Sequence, residues 1–245
     1  GAAIATVISQ VISFMLLLQF FLRKKTLCRI SVLYFDKNPK KLWHIICTGF
    51  PSLCRQGLAS ISTVLLNRAA SVYGDAALAG MSIVMRLIQF VASVMIGIGQ
   101  GFTPVSGYNY GAKKYDRVKK AYIFTVKAGF VCLTVSAGIL FAFAPQIIRL
   151  FRNDPEVIAI GAAALRFQAI GLPFHSFIIG TNMLMQSTGK IKSATFLSMN
   201  RQGVYFIPAI LILPHFLGLT GVEISQAVAD FLSVITAIPY IIWFF

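Results

Sequence analysis

The chain has 245 residues and a formal net charge of +15, yet only 12% of its residues are charged while 57% are hydrophobic. A soluble domain carries about 25% charged residues, so this sequence has too little polar surface to cover a water-soluble fold, as its mean hydropathy of +0.78 also indicates. Nucleic-acid binding is excluded on related grounds, because a binder spreads Lys and Arg over a folded face, whereas here they collect in short gaps between apolar runs.

Crossing about 30 Å of hydrocarbon takes about 20 mainly apolar residues, and seven stretches meet that need: roughly 1–22, 43–68, 77–101, 118–144, 157–186, 191–214 and 222–244. The predicted fold class is therefore all-α, a polytopic membrane helix bundle of about seven transmembrane helices. The chain opens without Met inside the first apolar run, shows no basic leader with a cleavage site, and stops inside the last run at Ile241 to Phe245. That pattern predicts a fragment of a longer protein.

Between the first two spans, the gap 23–42 holds Arg23, Lys24, Lys25, Arg29, Lys37, Lys40 and Lys41. Further along, the gap 111–120 holds Lys113, Lys114, Arg117, Lys119 and Lys120, and the gap near 190 adds Lys190 and Lys192. The alternate gaps hold only Arg68, Arg149 and Arg152, three against fourteen. Lys and Arg are retained on the cytoplasmic side. The basic loops are thus expected in the cytoplasm, with the first span running outside to inside.

Four basic or acidic side chains fall near mid-depth. At 1.5 Å per residue, Arg55 lies roughly 18 Å from the inner boundary of its span, Arg86 roughly 14 Å from the outer one, and Arg201 roughly 15 Å from the inner one. Asp230 lies roughly 12 Å inside the last span and is the one acidic residue expected within any span, with Glu223 placed at an edge. A charge there costs at least about 2.5–3.5 kcal/mol, so these residues face protein or water and usually pair. Two roles stay open: an ion-pair network that locks helices together, or a partner-switching site on an aqueous path. Gln56, Gln89, Asn182 and Gln186 complete the candidate substrate and cavity set. Arg86 shares a helix face with Gln89, and Asn182 shares one with Gln186. Met81, Met85, Met95, Met183, Met185 and Met199 suit an adaptable ligand surface, although packing is the commoner role for any one Met.

Chemistry of other kinds is poorly served. Cys28, Cys47, Cys54 and Cys132 form no CxxC pair and no zinc or disulfide pattern. Among the histidines only His175 falls within a span, beside Pro173, and no nucleophilic arrangement can be built around it; a proton-relay role is its only functional alternative. Neither an enzyme, a metal site nor an organic cofactor is expected. Gly49-Phe50-Pro51 and Gly171-Leu172-Pro173 look alike, and each could break a helix and free backbone groups to line a cavity.

The segment GIGQGFTPVSGYNYGAKKYDRVKKA from Gly97 to Ala121 resembles the multidrug and toxic-compound extrusion family, whose GxxQGxxPxxGYNxGA run matches at Gly97, Gln100, Gly101, Pro104, Gly107, Tyr108, Asn109, Gly111 and Ala112. GFPSLCRQG at Gly49–Gly57, NMLMQSTGKIKSA at Asn182–Ala194, NRQGVYFIP at Asn200–Pro208 and AVADFLS at Ala227–Ser233 follow in the family's order. The resemblance implies twelve helices in two six-helix lobes. Residues 1–22 would then be the last helix of the N-terminal lobe, 23–42 a cytoplasmic basic interlobe linker, and 43–245 the C-terminal lobe. It further implies a secondary antiporter in a prokaryotic inner membrane, exporting drugs and organic cations in exchange for H+ or Na+ by alternating access. Its partners would be membrane lipid, drug-like cations and the N-terminal lobe of the same protein. One departure stands out: a sodium-coupled branch carries a Glu where Ala59 stands here, and an Asp in the helix matching 157–186, which holds no acid. Coupling would then fall to the N-terminal lobe or to Asp230. A lipid-linked oligosaccharide flippase of related architecture, its cavity lined by Arg55, Arg86 and Arg201, is the closer alternative; a seven-span receptor is the more distant one.

Overall fold

The computed structural model describes residues 2–22 and 38–245. Most of the predicted linker 23–42, with Arg23, Lys24, Lys25, Cys28, Arg29 and Lys37, lies outside the described residues. Ten α-helices occur among the described residues: α1 (Ala2–Leu22), α2 (Pro39–Ser71), α3 (Asp75–Gly111), α4 (Tyr115–Ala142), α5 (Ala144–Phe151), α6 (Pro155–Gly171), α7 (His175–Ser187), α8 (Ile191–Met199), α9 (Ile207–Leu217) and α10 (Leu219–Phe244). A 3₁₀ turn, Leu172–Phe174, joins α6 to α7, and a π-helical stretch, Asn200–Phe206, joins α8 to α9. The chain divides into two compact units, Gly1–His44 and Ile45–Phe245.

Among the described residues five helical segments are long and apolar enough to cross a membrane: Asp75–Gly111, Tyr115–Ala142, Pro155–Ser187, Ile191–Leu217 and Leu219–Phe244. They match the last five predicted spans. α1 contains a shorter apolar stretch, Val7–Leu16, while α2 has the length but carries Arg55, Gln56, Asn67 and Arg68. The fold is a polytopic helical bundle. α5 was not anticipated from hydropathy: it is an eight-residue helix that lays Ala144 and Ile148 inward and leaves Arg149 and Leu150 exposed.

Burial inverts the pattern of a soluble bundle. Apolar side chains fill the interior of the larger unit, where Met81, Val84, Leu133, Ile148, Leu165, Leu172 and Phe206 form one core. Phe102, Val118, Tyr122, Met183 and Leu184 form a second. Meanwhile Phe90, Phe124, Val131, Val135, Phe216 and Ile242 stand exposed. A chain that exposes large apolar groups on the outside of transmembrane-length helices, with the backbone bonded within each helix, is built for lipid.

The two ends of the bundle differ in chemistry. The end of α3, just before the turn 112–114, and the turn 188–190 meet the end of α10: Lys190 Nζ sits 3.9 Å from the ring centre of Trp243 and 4.3 Å from that of Phe244, and Tyr110 packs against Phe244. Cation–π contacts of this type are worth about 0.5–2 kcal/mol. At the opposite end Tyr73 Oη donates to the Pro214 carbonyl. The basic turns 112–114 and 188–190 therefore share one end.

The α9–α10 hairpin turns at Gly218, whose φ of 59° suits glycine. Three residues on, a Cβ at Gly221 would overlap the backbone between Leu213 and Pro214. Gly221→Ala is therefore expected to destabilise the full-length protein by about 1–3 kcal/mol through overpacking, read as a lowered melting temperature in detergent. Gly138→Ala, with open space around it, should leave the melting temperature unchanged or slightly raised.

Candidate functional site

Three helical segments bring titratable side chains together at mid-depth. His175 opens α7 just after the 3₁₀ turn, Arg201 is the second residue of the π-helical stretch, and Asp230 lies within α10. At 1.5 Å per residue each stands roughly 15–21 Å from the basic end of its segment. Arg201 Nε donates to Asp230 Oδ1 at 2.5 Å, and Gln226 Nε2 donates to the same oxygen at 3.2 Å. His175 Nε2 lies 2.8 Å from Asp230 Oδ2 and 3.1 Å from Arg201 Nη2.

Local sequence explains the helix irregularities. Pro173 has no N–H to donate, and its ring displaces the carbonyl four residues earlier, so α6 tightens into a 3₁₀ turn before restarting at His175. Pro208 does the same beyond the π-helical stretch, where wider turns leave carbonyls in need of donors. Ser62 of α2 meets one of them, its Oγ donating to the Gln202 carbonyl at 3.2 Å. Gly171 is the close approach that admits the carboxylate, since a Cβ there would lie 3.2 Å from Asp230 Oδ2.

The cluster has an asymmetric exposure: the side chains of His175 and Asp230 are each 2% exposed, whereas Arg201 is 24% exposed. Arg201 is thus the edge through which the pair meets its surroundings. The single nitrogen His175 Nε2 faces both a donor and an acceptor. Carrying a proton, it donates to Asp230; bare, it accepts from Arg201. It cannot do both, and His175 Nδ1 is buried with no hydrogen-bond partner among the described residues.

The other predicted residues fall into separate places. Arg86 and Gln89 line a cleft of about 590 Å³ between α2 and α3, with Asn67, Thr63, Met85 and Phe90. Among the described residues Arg86 has no acidic partner, and the same is true of half-buried Arg55, so the expected pairing of mid-depth cations holds only for Arg201. Gln56 is exposed, and its carbonyl accepts from Ser60. Asn182 and Gln186 serve different neighbours: Asn182 Nδ2 donates to the Ala194 carbonyl and to Ser198 Oγ of α8, while Gln186 Nε2 donates to Ser52 of α2.

Other expectations change against the coordinates. His175, expected within a span but given no partner from the sequence, is turned onto Asp230 by the α6–α7 break. Glu223 lies near the start of α10, as expected, but is buried, 5% exposed. Pro51 sits within continuous α2, so its likeness to the Pro173 motif ends at the sequence. Met81, Met95, Met183 and Met185 are buried in packing, leaving Met85 on the cleft and Met199 exposed.

A polytopic membrane bundle whose interrupted helices converge on a buried charge cluster is the class these features define. The MatE family profile matches residues 51–211, and the chain belongs to that family. Among its relatives, the Multidrug export protein MepA of Staphylococcus saprophyticus is 28% identical over 237 residues, covering 97% of this chain and 52% of the relative. MepA of Staphylococcus aureus is 27% identical over 240 residues, covering 97% and 52%. A multidrug resistance MATE family transporter of the MOP superfamily, solved in an outward-facing conformation, superposes with a TM-score of 0.87 at 25% identity, covering 98% of this chain and 55% of that one. A MOP superfamily transporter from Pyrococcus furiosus shares the fold, with a TM-score of 0.88 at 24% identity over 98% and 55%. The chain spans about half the length of the relatives it matches.

Removing the shared charge should be costly. Breaking a buried pair by deleting one partner typically costs about 3–5 kcal/mol, so Asp230→Asn in the full-length protein is expected to lower its melting temperature strongly. The double variant Arg201→Gln/Asp230→Asn should recover part of the loss, giving a coupling of about 0.5–3 kcal/mol in the mutant cycle; additive losses would remove the pair from the stabilising set.

Proposed function

We propose that the full-length protein is a secondary antiporter that exports drug-like organic cations across a prokaryotic inner membrane in exchange for H+ or Na+. The observation that carries this is the similarity to multidrug export proteins along 97% of the chain, rather than any single side chain. Residues 43–245 are the C-terminal six-helix lobe, 1–22 the last helix of the N-terminal lobe, and 23–42 the basic linker between them. The N-terminal lobe of the same protein is the partner, and alternating access moves the two lobes about a shared cavity. The basic loops face the cytoplasm, a placement supported by turns 112–114 and 188–190 gathering at one end of the bundle.

Within this scheme the chain's own residues have distinct tasks. Asp230 holds α7, the π-helical stretch and α10 in register through His175 and Arg201. Arg201, the exposed member, is where that register can respond to cavity contents. Arg55, Gln56, Arg86 and Gln89 lie on α2 and α3 and face the shared cavity. Asn182 and Gln186 fix α7 to its neighbours. The pathway needs both lobes, and the coupling ion binds in the N-terminal lobe or, on this side, at Asp230.

The test is efflux. Expressed in a bacterium lacking its own drug pumps, the full-length protein should raise resistance to ethidium and lower its accumulation, and Asp230→Asn should lose most of that effect. Unchanged ethidium accumulation on expression of the correctly inserted protein would falsify the efflux assignment, and accumulation of lipid-linked precursors on its deletion would favour the flippase alternative.

Topology is tested separately. A cysteine at Lys114 should resist a membrane-impermeant maleimide applied outside intact cells and react once the cells are opened. A cysteine at Tyr73 should react from outside. The reverse pattern would invert the assigned orientation.

A further inference from the structure

Glu223 is a buried acid that the ion-pair network does not use. It stands roughly 6 Å along the axis from the start of α10, at the end of the bundle opposite the basic turns. Its carboxylate makes no ion pair or hydrogen bond among the described residues. The polar neighbours along the helix are committed elsewhere: Ser225 Oγ donates to the Gly221 carbonyl, Gln226 Nε2 to Asp230 and Ser233 Oγ to the Ala229 carbonyl. The elements packed against α10 are α6, the 3₁₀ turn, α7, α8, the π-helical stretch and α9. Beyond His175 and Arg201, their titratable groups are Glu156, Arg166, Lys192, Tyr205 and His215. Glu156, Lys192 and His215 are exposed, Tyr205 is half-buried, and Arg166 is turned to the carbonyl and ring of Phe141.

Position and chemistry narrow what such a group can bind. Glu223, Gln226, Asp230 and Ser233 follow one another at helical spacing and share a face of α10. That face is turned into the bundle, with Glu223, Asp230 and Ser233 buried and Gln226 half-buried. Asp230 stands roughly 10 Å deeper, and both its oxygens are occupied, by Arg201 and Gln226 on one side and His175 on the other. A metal cation at Glu223 would need several oxygen ligands, and no group of three or more His, Cys, Asp and Glu side chains that could hold one occurs among the described residues. A proton needs only the one carboxylate, and it cancels the charge that burial opposes. Acids inside membrane-spanning segments that lack a counter-charge mark proton relays.

We infer that Glu223 is a proton-exchange group on the outer half of α10. It takes a proton from the outer aqueous phase onto a carboxylate oxygen, holds it while the bundle encloses the side chain, and returns it where water reaches the carboxylate. No covalent or redox step is involved. The position suits the task, because Glu223 is enclosed by protein yet only about one helical turn from the outer start of its helix. The inference rests on the antiport reading and adds to it a proton site separate from the Asp230 ion pair.

The test uses the full-length protein in proteoliposomes. Dicyclohexylcarbodiimide, an apolar reagent that attacks carboxyl groups in their protonated form, should label Glu223 with a yield that falls as the medium is made alkaline, the adduct being located by peptide mass spectrometry. In the same vesicles an opposing proton gradient should accelerate ethidium transport. Glu223→Gln should lose most of that acceleration, Glu223→Asp should keep much of it, and Glu156→Gln, an exposed acid on α6, should keep all of it. Labelling of the unmodified protein does not depend on whether Glu223→Gln folds. Absence of an adduct at Glu223, a yield indifferent to pH, or an acceleration unchanged in Glu223→Gln overturns the inference. Ethidium transport separates the two levels. If ethidium is transported but the adduct is missing, only the proton-exchange role fails; if ethidium is not transported, the antiport reading fails, whatever the adduct shows.

Discussion

A carboxylate buried among membrane-spanning helices has no water to solvate it, and the interior of the larger unit is arranged around that constraint at Asp230. Isolated, such a charge would cost several kcal/mol even after relaxation. Here it accepts from Arg201 and Gln226 and lies against His175, so three helical segments are tied to one side chain. The surrounding backbone carries the consequences. Gly171 leaves room for the carboxylate, Pro173 and Pro208 flank the irregular turns that present His175 and Arg201, and Ser62 covers a carbonyl of the π-helical stretch.

The same physical rule, applied where the partner is missing, gives Arg86 its different character. Both arginines lie at mid-depth on transmembrane-length elements, yet one is locked to a buried acid and the other opens into a polar cleft. A paired guanidinium holds helices together. The division of the polar side chains therefore separates a load shared between α7, the π-helical stretch and α10 from an open polar cleft on α2 and α3. Between them, buried methionines and small residues let the helices approach closely, while many other large aromatic and branched side chains, such as Phe90, Phe124 and Phe216, turn outward.

Much of this organisation was visible in the linear chain. Apolar runs of bilayer length located the last five spans to within several residues at most ends, because membrane insertion acts on local composition and helices close their own hydrogen bonds. α2 was located as well, although its arginines and amides make it less apolar than the others. Charge placement correctly put the turns 112–114 and 188–190 at one end. The motif from Gly97 to Ala112 pointed to the family, and the profile match over residues 51–211 established it. α5 escaped notice because eight amphipathic residues produce no bilayer-length signal.

Spacing could not say which charges meet. His175 and Asp230 are 55 positions apart, and Arg201 and Asp230 are 29 apart, so their encounter depends on how α6 to α10 pack and on where the turns at Pro173 and the π-helical stretch rotate each side chain. For the same reason Glu223, near the start of α10, is buried, and Asn182 and Gln186, neighbours on one helix face, found partners on different helices. Composition and local hydrogen bonding determined the spans, the end of the bundle that gathers the basic turns, and the family motif. Tertiary packing alone decided which mid-depth arginine is neutralised, because burial and counter-charge are properties of neighbours distant in the chain.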